Sequence, residues 1–324
     1  MFFTVTIQTY NNADVLKQAL GSLATLRCPD DADYEILVVN NNSNDATAAV
    51  IGAATTLLGA RLRSVFEPRQ GLSHARNRAL AEARGEIIGF VDDDALVTPD
   101  WLIEHVRAYR EDERTVAVGG RVVLRWPEGW SRPGWLSSDL DGYLSGVDFG
   151  QERQIMSYPR YPYGCNMSVR RGTAEQIGGF SARLGRKKSS LISNEEKYFF
   201  YKIDQMGGRV IYAPAALVHH MVPPTRLSQD FFLRRGYAQG ISNILFQTET
   251  SPVRQRFWWH LRQVAVGMKL LGQAVADMAG HRLHARDGAG LFARRVRMRY
   301  CLGYMAGAVR GAGRAAWKGD GNSE

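Results

Sequence analysis

The stretch EIIGFVDDDALVTPDWL, residues 86–102, decides the fold class and directs attention to one edge of it. An apolar run at 87–91 ends in three consecutive aspartates, Asp92, Asp93 and Asp94, and apolar residues then resume. A short apolar run bounded by a turn is typical of a buried strand. Carboxylates repel one another and are costly to hold away from bulk water, so a run of three at a strand end needs a reason.

Two interpretations account for the aspartate run. It is either a set of turn and capping residues ahead of Pro99, or a cation site. A single aspartate is enough for a cap, whereas three accumulate negative potential that a hard divalent cation relieves. Such a cation keeps coordination positions for phosphate oxygens. We therefore expect Mn²⁺ or Mg²⁺ to bridge a diphosphate at this turn.

The segments before residue 86 alternate between strand and helix patterns. Strand patterns open FFTVTIQTYNN (2–12), YEILVVNNNSNDAT (34–47) and LRSVFEPRQG (62–71). Helical apolar spacing marks 13–26, a segment from Thr47, and 72–85, where Gly85 is predicted to end the helix. This alternation predicts an α/β fold with a mostly parallel twisted sheet and flanking helices.

Polar loops follow the predicted parallel strands. Because ligands bind beyond the carboxyl ends of such strands, these loops are expected to converge on one crevice. The loops are Thr9–Asn12, Asn40–Asp45, Arg69–Ser73 and Asp92–Asp94.

An anion site is also indicated near the third loop. Arg69 and Arg76 flank Gly71 at the start of a helix, and helix N-termini with arginines bind phosphate. A solvated helix face explains some of these arginines equally well. No G-x-G-x-x-G follows the first strand, and no Walker lysine loop or G-x-S-x-G elbow occurs. The sequence therefore does not indicate a Rossmann dehydrogenase, a P-loop enzyme or an α/β-hydrolase.

Two further groups of ionisable residues lie in the second half of the chain. Glu195 and Glu196 begin a helical pattern, where they either complement the helix dipole or provide a general base of raised pKa. His219 and His220 end an apolar strand. A strand-end histidine is usually a packed residue, and it becomes a metal-ligand candidate if the strand ends beside the aspartates.

The positive charge is concentrated at the C-terminus. Residues 251–324 contain 13 Lys/Arg and 4 Asp/Glu, whereas the first 250 residues contain 28 of each sign. After Arg226 the pattern predicts helices to the end. These helices either pack on the rest of the chain with a solvated basic face or lie on anionic lipid. No nucleic-acid motif accompanies the charge, so we expect no nucleic-acid partner.

Cysteine usage and hydropathy bear on location. The three cysteines are far apart and lack metal-binding spacing, which indicates a reducing compartment. No apolar run approaches the ~18 residues of a spanning helix. We therefore expect a cytoplasmic protein, with peripheral contact at the inner face of the cell membrane as the alternative to a fully soluble one.

The order of these motifs resembles family 2 glycosyltransferases with the GT-A fold. The resemblance covers roughly residues 3–245, and its parts stand in the family's order and approximate spacing. They are TVTIQTYNN, EILVVNNNSNDAT, GLSHARNRAL, GEIIGFVDDDALVTPDWL, YGCNMSVRR, IGGF, NEE and YAPAALVHH.

The resemblance implies a nucleotide-diphospho-sugar donor of the UDP, GDP or dTDP type and a saccharide or glycolipid acceptor. It implies a GT-A catalytic domain at 1–245, with a donor half (1–120) and an acceptor half (121–245), and a basic helical region at 246–324. The implied donor-binding residues are Thr9, Tyr10, Asn11, Asn40, Asn42, Arg69, Gly71, Arg76, Asp92 and Asp93.

The resemblance also assigns the chemistry. Asp94 and His220 are implied as metal ligands, and Glu196, beside Glu195, as the general base of an inverting transfer in cell-surface polysaccharide or glycolipid synthesis. Two departures are visible: Asn40 replaces an aspartate that many members carry, and Glu196 replaces the commoner aspartate base. A sugar-nucleotide pyrophosphorylase and a non-catalytic sugar- or lipid-binding scaffold remain as alternatives.

Overall fold

The computed structural model describes residues 1–186, 190–251, 257–284 and 288–319. The chain forms two compact units, each assembled from three segments. The first unit contains Met1–Arg125, Ser145–Lys188 and Glu195–Val222. The second contains Trp126–Leu144, Ser189–Asn194 and Pro223–Glu324. The domain limits at residues 120 and 245 stay predictions of the sequence.

A nine-stranded mixed sheet forms the centre of the first unit, and its strands run in the order β3-β2-β1-β4-β8-β6-β9-β5, with β7 paired to β9. Six of the nine strands run in one direction, and β5, β7 and β8 oppose them, so the predicted mostly parallel sheet is confirmed. The strands are β1 Phe2–Thr9, β2 Asp33–Asn40, β3 Leu62–Phe66, β4 Ile87–Asp92, β5 Ala95–Val97, β6 Thr115–Arg125, β7 Gln154–Met156, β8 Asn166–Arg170 and β9 Arg209–Met221.

Helices cover both faces of this sheet. Alternate residues of β4 enter different apolar clusters, Ile87 and Val91 on one face and Ile88 and Phe90 on the other. This is why β4 has a continuous apolar sequence. Its flanking helices are α1 Ala13–Leu23, α2 Thr47–Leu58 and α4 Trp101–Glu111 in the first cluster, and α3 Leu72–Glu82, α5 Arg171–Gln176 and α6 Glu195–Gln205 in the second.

Gly85 does not end α3 in the way that the sequence predicted. The helix ends at Glu82, and Gly85 is absent from the residues with positive φ. A Cβ added at Gly85 would lie 2.7 Å from the carbonyl carbon of Phe3. The glycine is therefore needed because the chain passes directly against the backbone of β1.

The central part of the sheet departs from simple strand–helix alternation. β8 inserts between β4 and β6 and runs antiparallel to both, with Phe90 opposite Met167 and Val118 opposite Ser168. The sequence of this segment, YGCNMSVRR, indicated neither the direction of β8 nor its position in the sheet. The insertion brings Gly164 and Cys165, which immediately precede β8, to the carboxyl end of β4.

Three long helices dominate the second unit: α7 Gln229–Thr250, α8 Phe257–His284 and α9 Gly288–Gly319. They confirm the helices predicted after Arg226 for the described residues. Glycines let the backbones of α7 and α9 touch, since a Cβ at Gly303 would overlap the carbonyl oxygen of Tyr237, and one at Gly240 that of Tyr300. Among the residues that the structure describes, no helix combines the length and apolar character needed to cross a bilayer.

Candidate active site

The turn between β4 and β5 holds the three aspartates and delivers Asp94 to a histidine. After Asp92 the chain reverses, and β5 pairs antiparallel with β9 so that Ala95 lies opposite His220. As a result, Nε2 of His220 lies 3.2 Å from Oδ1 of Asp94. The backbone N–H of Met221 donates to the carbonyl oxygen of Asp94 at 2.8 Å, which fixes the turn against β9.

Asp94 and His220 have the donor types and spacing of two ligands of one divalent cation. Adjacent ligands in an octahedral site with bonds of about 2.1 Å are about 3.0 Å apart, close to the observed separation. In the described part of the chain, no three His, Cys, Asp or Glu side chains form a complete metal site.

A buried arginine connects the aspartate turn to the glutamate pair. Arg76, from the middle of α3, lies with Nη1 3.1 Å from Oε1 of Glu195 and Nη2 3.3 Å from Oδ1 of Asp92. The sequence predicted Arg76 for phosphate binding, and no observation tests that role. Its position shows that two carboxylates already balance its charge, which is the condition for keeping a guanidinium out of water.

Gly164 makes room for Arg76, and sequence reasoning missed it. A Cβ at Gly164 would lie 2.7 Å from Cζ of Arg76 and would overlap Nη2. The only signal in the sequence was a glycine in the segment YGCNMSVRR. That signal does not identify the arginine, because the two residues come together only through the insertion of β8 beside β4.

Asp93 faces the end of β1. The hydroxyl of Thr9 donates to Oδ2 of Asp93 at 2.7 Å. Burial and the neighbouring Asp94 raise the pKa of the Asp93 carboxyl above its ordinary value, and the Thr9 hydrogen bond opposes that shift. Thr9 and Asp93, both predicted donor-binding residues, are therefore brought into direct contact.

The two glutamates at the start of α6 occupy different environments. Glu195 is buried, and burial together with Glu196 raises the pKa of its carboxyl, while Arg76 opposes the shift. Glu196 is more exposed as a residue, yet its Oε2 is shielded from water without a hydrogen-bond partner in the described part of the chain. Oε1 of Glu195 is bound to Arg76, and Oε2 of each glutamate has no hydrogen-bond partner among the described residues, so the two differ in the arginine contact and in burial.

The loops after β1 and β2 are joined to each other. The backbone N–H of Asn11 donates to the hydroxyl of Ser43 at 3.0 Å, and Oδ1 of Asn11 accepts from the N–H of Asn44 at 2.8 Å. Asn11 and Asn42 have φ angles of 48° and 64°, a region that asparagine enters more readily than most residues. Tyr10 is exposed beside them.

Asn41 connects the second loop to the third, and it is another residue that the sequence analysis missed. Its Nδ2 donates to the carbonyl oxygens of Glu67 and Arg69 at 3.0 and 2.8 Å, and its Oδ1 accepts from the N–H of Gly71 at 2.8 Å. Oδ1 of Asn40, a predicted donor-binding residue, accepts from the N–H of Ser43 at 2.9 Å within its own turn. The run NNN does not show which of its three asparagines is buried. The structure buries Asn41, which therefore connects the two loops.

The start of α3 is partly occupied by protein groups. Gly71 has a φ of 138°, and the N–H of Leu72 donates to the carbonyl oxygen of Arg186 at 3.0 Å. Arg69 lies mostly exposed and pairs with buried Glu67, Nε to Oε1 at 2.8 Å. The four loops contact one another as predicted. The anion site expected at the start of α3 would need free backbone N–H groups, and the N–H of Leu72 is already bound to Arg186.

Comparison with known proteins identifies the family. Residues 4–178, more than half of the chain, match the family model described as glycosyl transferase family 2. The chain belongs to glycosyl transferase family 2. By family it is a glycosyltransferase, and the match gives the pyrophosphorylase alternative no support.

Two relatives illustrate the similarity. A glucosyl-dolichyl phosphate glucuronosyltransferase of Haloferax volcanii is 30% identical over 177 residues, which are 54% of this chain and 56% of that protein. The succinoglycan biosynthesis protein ExoM of Rhizobium meliloti is 27% identical over 251 residues, 77% of this chain and 76% of that protein. The chain thus matches little more than half the length of the first relative.

Solved structures confirm the GT-A type of fold. A mannosyltransferase from Pyrobaculum calidifontis, in complex with GDP-Man and Mn²⁺, superposes with a TM-score of 0.59 at 22% identity, covering 98% of this chain and 87% of that one. TarS 1–349 of Staphylococcus aureus, in complex with UDP, gives a TM-score of 0.51 at 16% identity, covering 96% and 91%.

Proposed function

We propose that this glycosyltransferase moves a sugar from a nucleotide-diphospho-sugar to an acceptor hydroxyl with inversion at the anomeric carbon. One observation carries the proposal: the Asp92–Asp94 turn meets His220, and Arg76 links the same turn to the Glu195–Glu196 pair. A cation-favouring cluster of carboxylates and a candidate base therefore belong to the same unit.

The donor is proposed to lie across the four strand-end loops. Thr9, Tyr10, Asn11, Asn40 and Asn42 would border its base and ribose. The arginines and Gly71 would lie toward the diphosphate, and Asp92 and Asp93 near the sugar hydroxyls. Relatives of the fold are described with GDP-Man and with UDP, which supports the donor class while leaving the base open.

Asp94 and His220 would hold Mn²⁺ or Mg²⁺. When bound, such a cation neutralises charge that develops on a leaving diphosphate. The fit rests on the 3.2 Å separation of the two donor atoms, Oδ1 of Asp94 and Nε2 of His220.

Glu196 is proposed as the general base. Its Oε2 has no partner among the described residues and is proposed to accept a proton from the acceptor hydroxyl; Glu195 also has such an oxygen, but it is more deeply buried and its other oxygen is bound to Arg76. Deprotonation strengthens the hydroxyl as a nucleophile toward the anomeric carbon, opposite the leaving group. Glutamate side chains of this kind perform proton transfer when they lie within hydrogen-bond reach of the substrate, about 2.6–3.2 Å.

The acceptor is proposed to be a saccharide or glycolipid of a cell-surface polymer. One relative is described as a succinoglycan biosynthesis protein, and another acts on a glucosyl-dolichyl phosphate. Both descriptions support a growing or lipid-linked sugar as the acceptor.

Donor binding to the purified full-length protein tests the proposal. UDP-, GDP- and dTDP-sugars are compared by thermal shift with Mn²⁺ and with a chelator, followed by slow donor hydrolysis. We expect one donor class to raise the melting temperature in a metal-dependent manner and to be hydrolysed. Stabilisation by none of them, or equal stabilisation in the chelator, would contradict the proposed donor site.

A further inference from the structure

The outward side of α8 carries a continuous apolar stripe. Its members recur at alternating spacings of three and four residues and are exposed, with Trp258 at 77% and Met268 at 55%. Single exposed apolar residues are ordinary, but a row of them along one helix face is a surface with a function. The stripe consists of Trp258, Leu261, Ala265, Met268, Gly272 and Val275.

The opposite side of α8 is anchored to α9. His260, Gly267 and Ala274, spaced by seven residues, are buried. A Cβ at Gly267 would lie within 3.5 Å of two atoms of Met305, and one at Gly311 would overlap the ring of His260. The stripe is therefore the face of α8 that this packing leaves at the surface of the second unit.

Positive charge borders the stripe. Arg262 and Lys269 are exposed next to it on α8. Arg299 and Arg310 are also exposed, on α9, the helix that packs against the other side of α8. Across the described residues, no carboxylate lies within ion-pair distance of these four side chains. α9 contains no acidic residue, and the single acid of α8, Asp277, is paired with Arg297 at 2.8 Å.

We propose that this α8 stripe, together with the adjoining basic side chains, binds the surface of an anionic lipid bilayer with α8 lying in the plane of the interface. Apolar side chains enter the headgroup boundary while lysine and arginine contact phosphate, which is the arrangement of interfacial helices. A second copy of the chain is a poorer occupant, because a symmetric contact would bring Arg262 and Lys269 against their own copies. The proposal does not depend on the donor chemistry of the first unit.

Vesicle sedimentation with the full-length protein tests this surface. Phosphatidylcholine vesicles are compared with vesicles that also contain phosphatidylglycerol, at low and high salt. We expect binding to the anionic vesicles, weakened by salt, and at least about tenfold weaker binding to the neutral ones. Absence of binding to the anionic vesicles, or equal and salt-independent binding to both, would overturn the proposal.

Two double variants separate the apolar and the electrostatic contributions. Trp258→Ser with Met268→Ser, and Arg262→Gln with Lys269→Gln, should each weaken binding to anionic vesicles by about tenfold or more. Leu57→Ser and Lys17→Gln, which remove an exposed leucine of α2 and an exposed lysine of α1, are the matched controls and should leave binding unchanged.

Two further measurements keep the test independent of folding and of self-association. Circular dichroism and donor-induced thermal shift should match the unaltered protein for all variants. Size-exclusion chromatography with light scattering should give the same mass for all of them. A dimer that Trp258→Ser with Met268→Ser converts to monomer would assign the stripe to a second copy and overturn the lipid assignment.

Discussion

The guanidinium of Arg76 on α3 and the carboxylate of Glu195 on α6 form a buried ion pair, with Nη1 3.1 Å from Oε1 and side-chain exposures of 2% and 4%. Two residues separated by 119 positions thus share one desolvated contact. Breaking such a pair from one side leaves the buried guanidinium with Asp92, at 3.3 Å, as its remaining counter-charge, which is more destabilising than removal of an exposed pair.

Glu195→Gln is therefore expected to lower the free energy of unfolding by about 3 kcal/mol, measured by urea denaturation. Glu82→Gln, on α3 with Arg76, is the matched control, because it breaks the Arg78–Glu82 pair, a 2.8 Å contact between partly exposed side chains. That control should change the free energy by less than about 0.5 kcal/mol. Similar losses in the free energy of unfolding for both variants would contradict the expectation that the buried Arg76–Glu195 pair contributes more to stability than an exposed pair.

Much of this arrangement could be predicted from the sequence. The strand and helix alternation, the four polar strand-end loops and the candidates Asp94, Glu196 and His220 follow from local patterns. Short stretches of sequence are enough to show these features, because buried strands must be apolar and turns need polar or small residues.

The remainder depends on contacts between distant segments. Arg76 has the sequence context of a surface helix, and its burial arises because β8 inserts beside β4 and brings Gly164 to it. Likewise Gly85 was interpreted as a helix end, although the constraint on it comes from the backbone of β1. No residue-level pattern encodes strand order, so these roles required the structure.

Glu196→Gln should reduce sugar transfer by about 10²–10⁴-fold while donor affinity stays within about twofold. The amide keeps the size of the side chain but cannot accept a proton from the acceptor. Initial rates and calorimetric donor titrations provide the two readouts. Loss of donor affinity in parallel with the rate would indicate that Glu196 shapes the site rather than moves a proton.

Asp94→Asn should remove the Mn²⁺ dependence of donor binding, because a neutral amide is a much weaker ligand for a hard cation than a carboxylate. Calorimetry of the donor with and without Mn²⁺ measures this difference. Asp30→Asn, at an exposed position outside the strand-end loops, is the control and should retain it. An Asp94→Asn protein that binds donor in an unaltered, metal-dependent manner would refute the proposed ligand role.

Gly164→Ala should displace the Arg76 guanidinium, since the added Cβ would lie 2.7 Å from its Cζ. We expect a loss of about 1–3 kcal/mol in the free energy of unfolding, as for other overpacked interiors, together with reduced transfer. Gly172→Ala is the control because no atom lies within 4 Å of a Cβ there. Equal stability of the two variants would mean that Arg76 moves aside without penalty.

His105 should make stability depend on pH. Its ring is fully buried, with Nδ1 2.7 Å from the hydroxyl of Ser168, and burial lowers the pKa of the imidazole to about 3. The unfolded chain binds a proton near pH 6.5 and the folded chain does not, so the contribution is complete above pH 6.5 and falls as pH drops toward 3.

At pH 5 this linkage should lower the free energy of unfolding by about 2 kcal/mol relative to neutral pH. Urea denaturation at several pH values measures it. Carboxylates contribute to the same acid slope, so His105→Gln serves as the reference: its slope between pH 7 and 5 should be shallower by about that amount. Identical slopes in the two proteins would show that His105 is not the source.

The threading of the chain between its two units limits how it can be shortened. Trp126–Leu144 and Ser189–Asn194 leave the first unit and belong to the second, so no single cut separates the two. A chain ending at residue 222 would keep Trp135 but lose Phe232 and Phe292, whose rings lie 5.5 and 5.0 Å from its indole. Such a fragment would expose the indole of Trp135 to solvent. A low yield of soluble fragment would then be explained by the missing helices of the second unit, not by instability of the sheet.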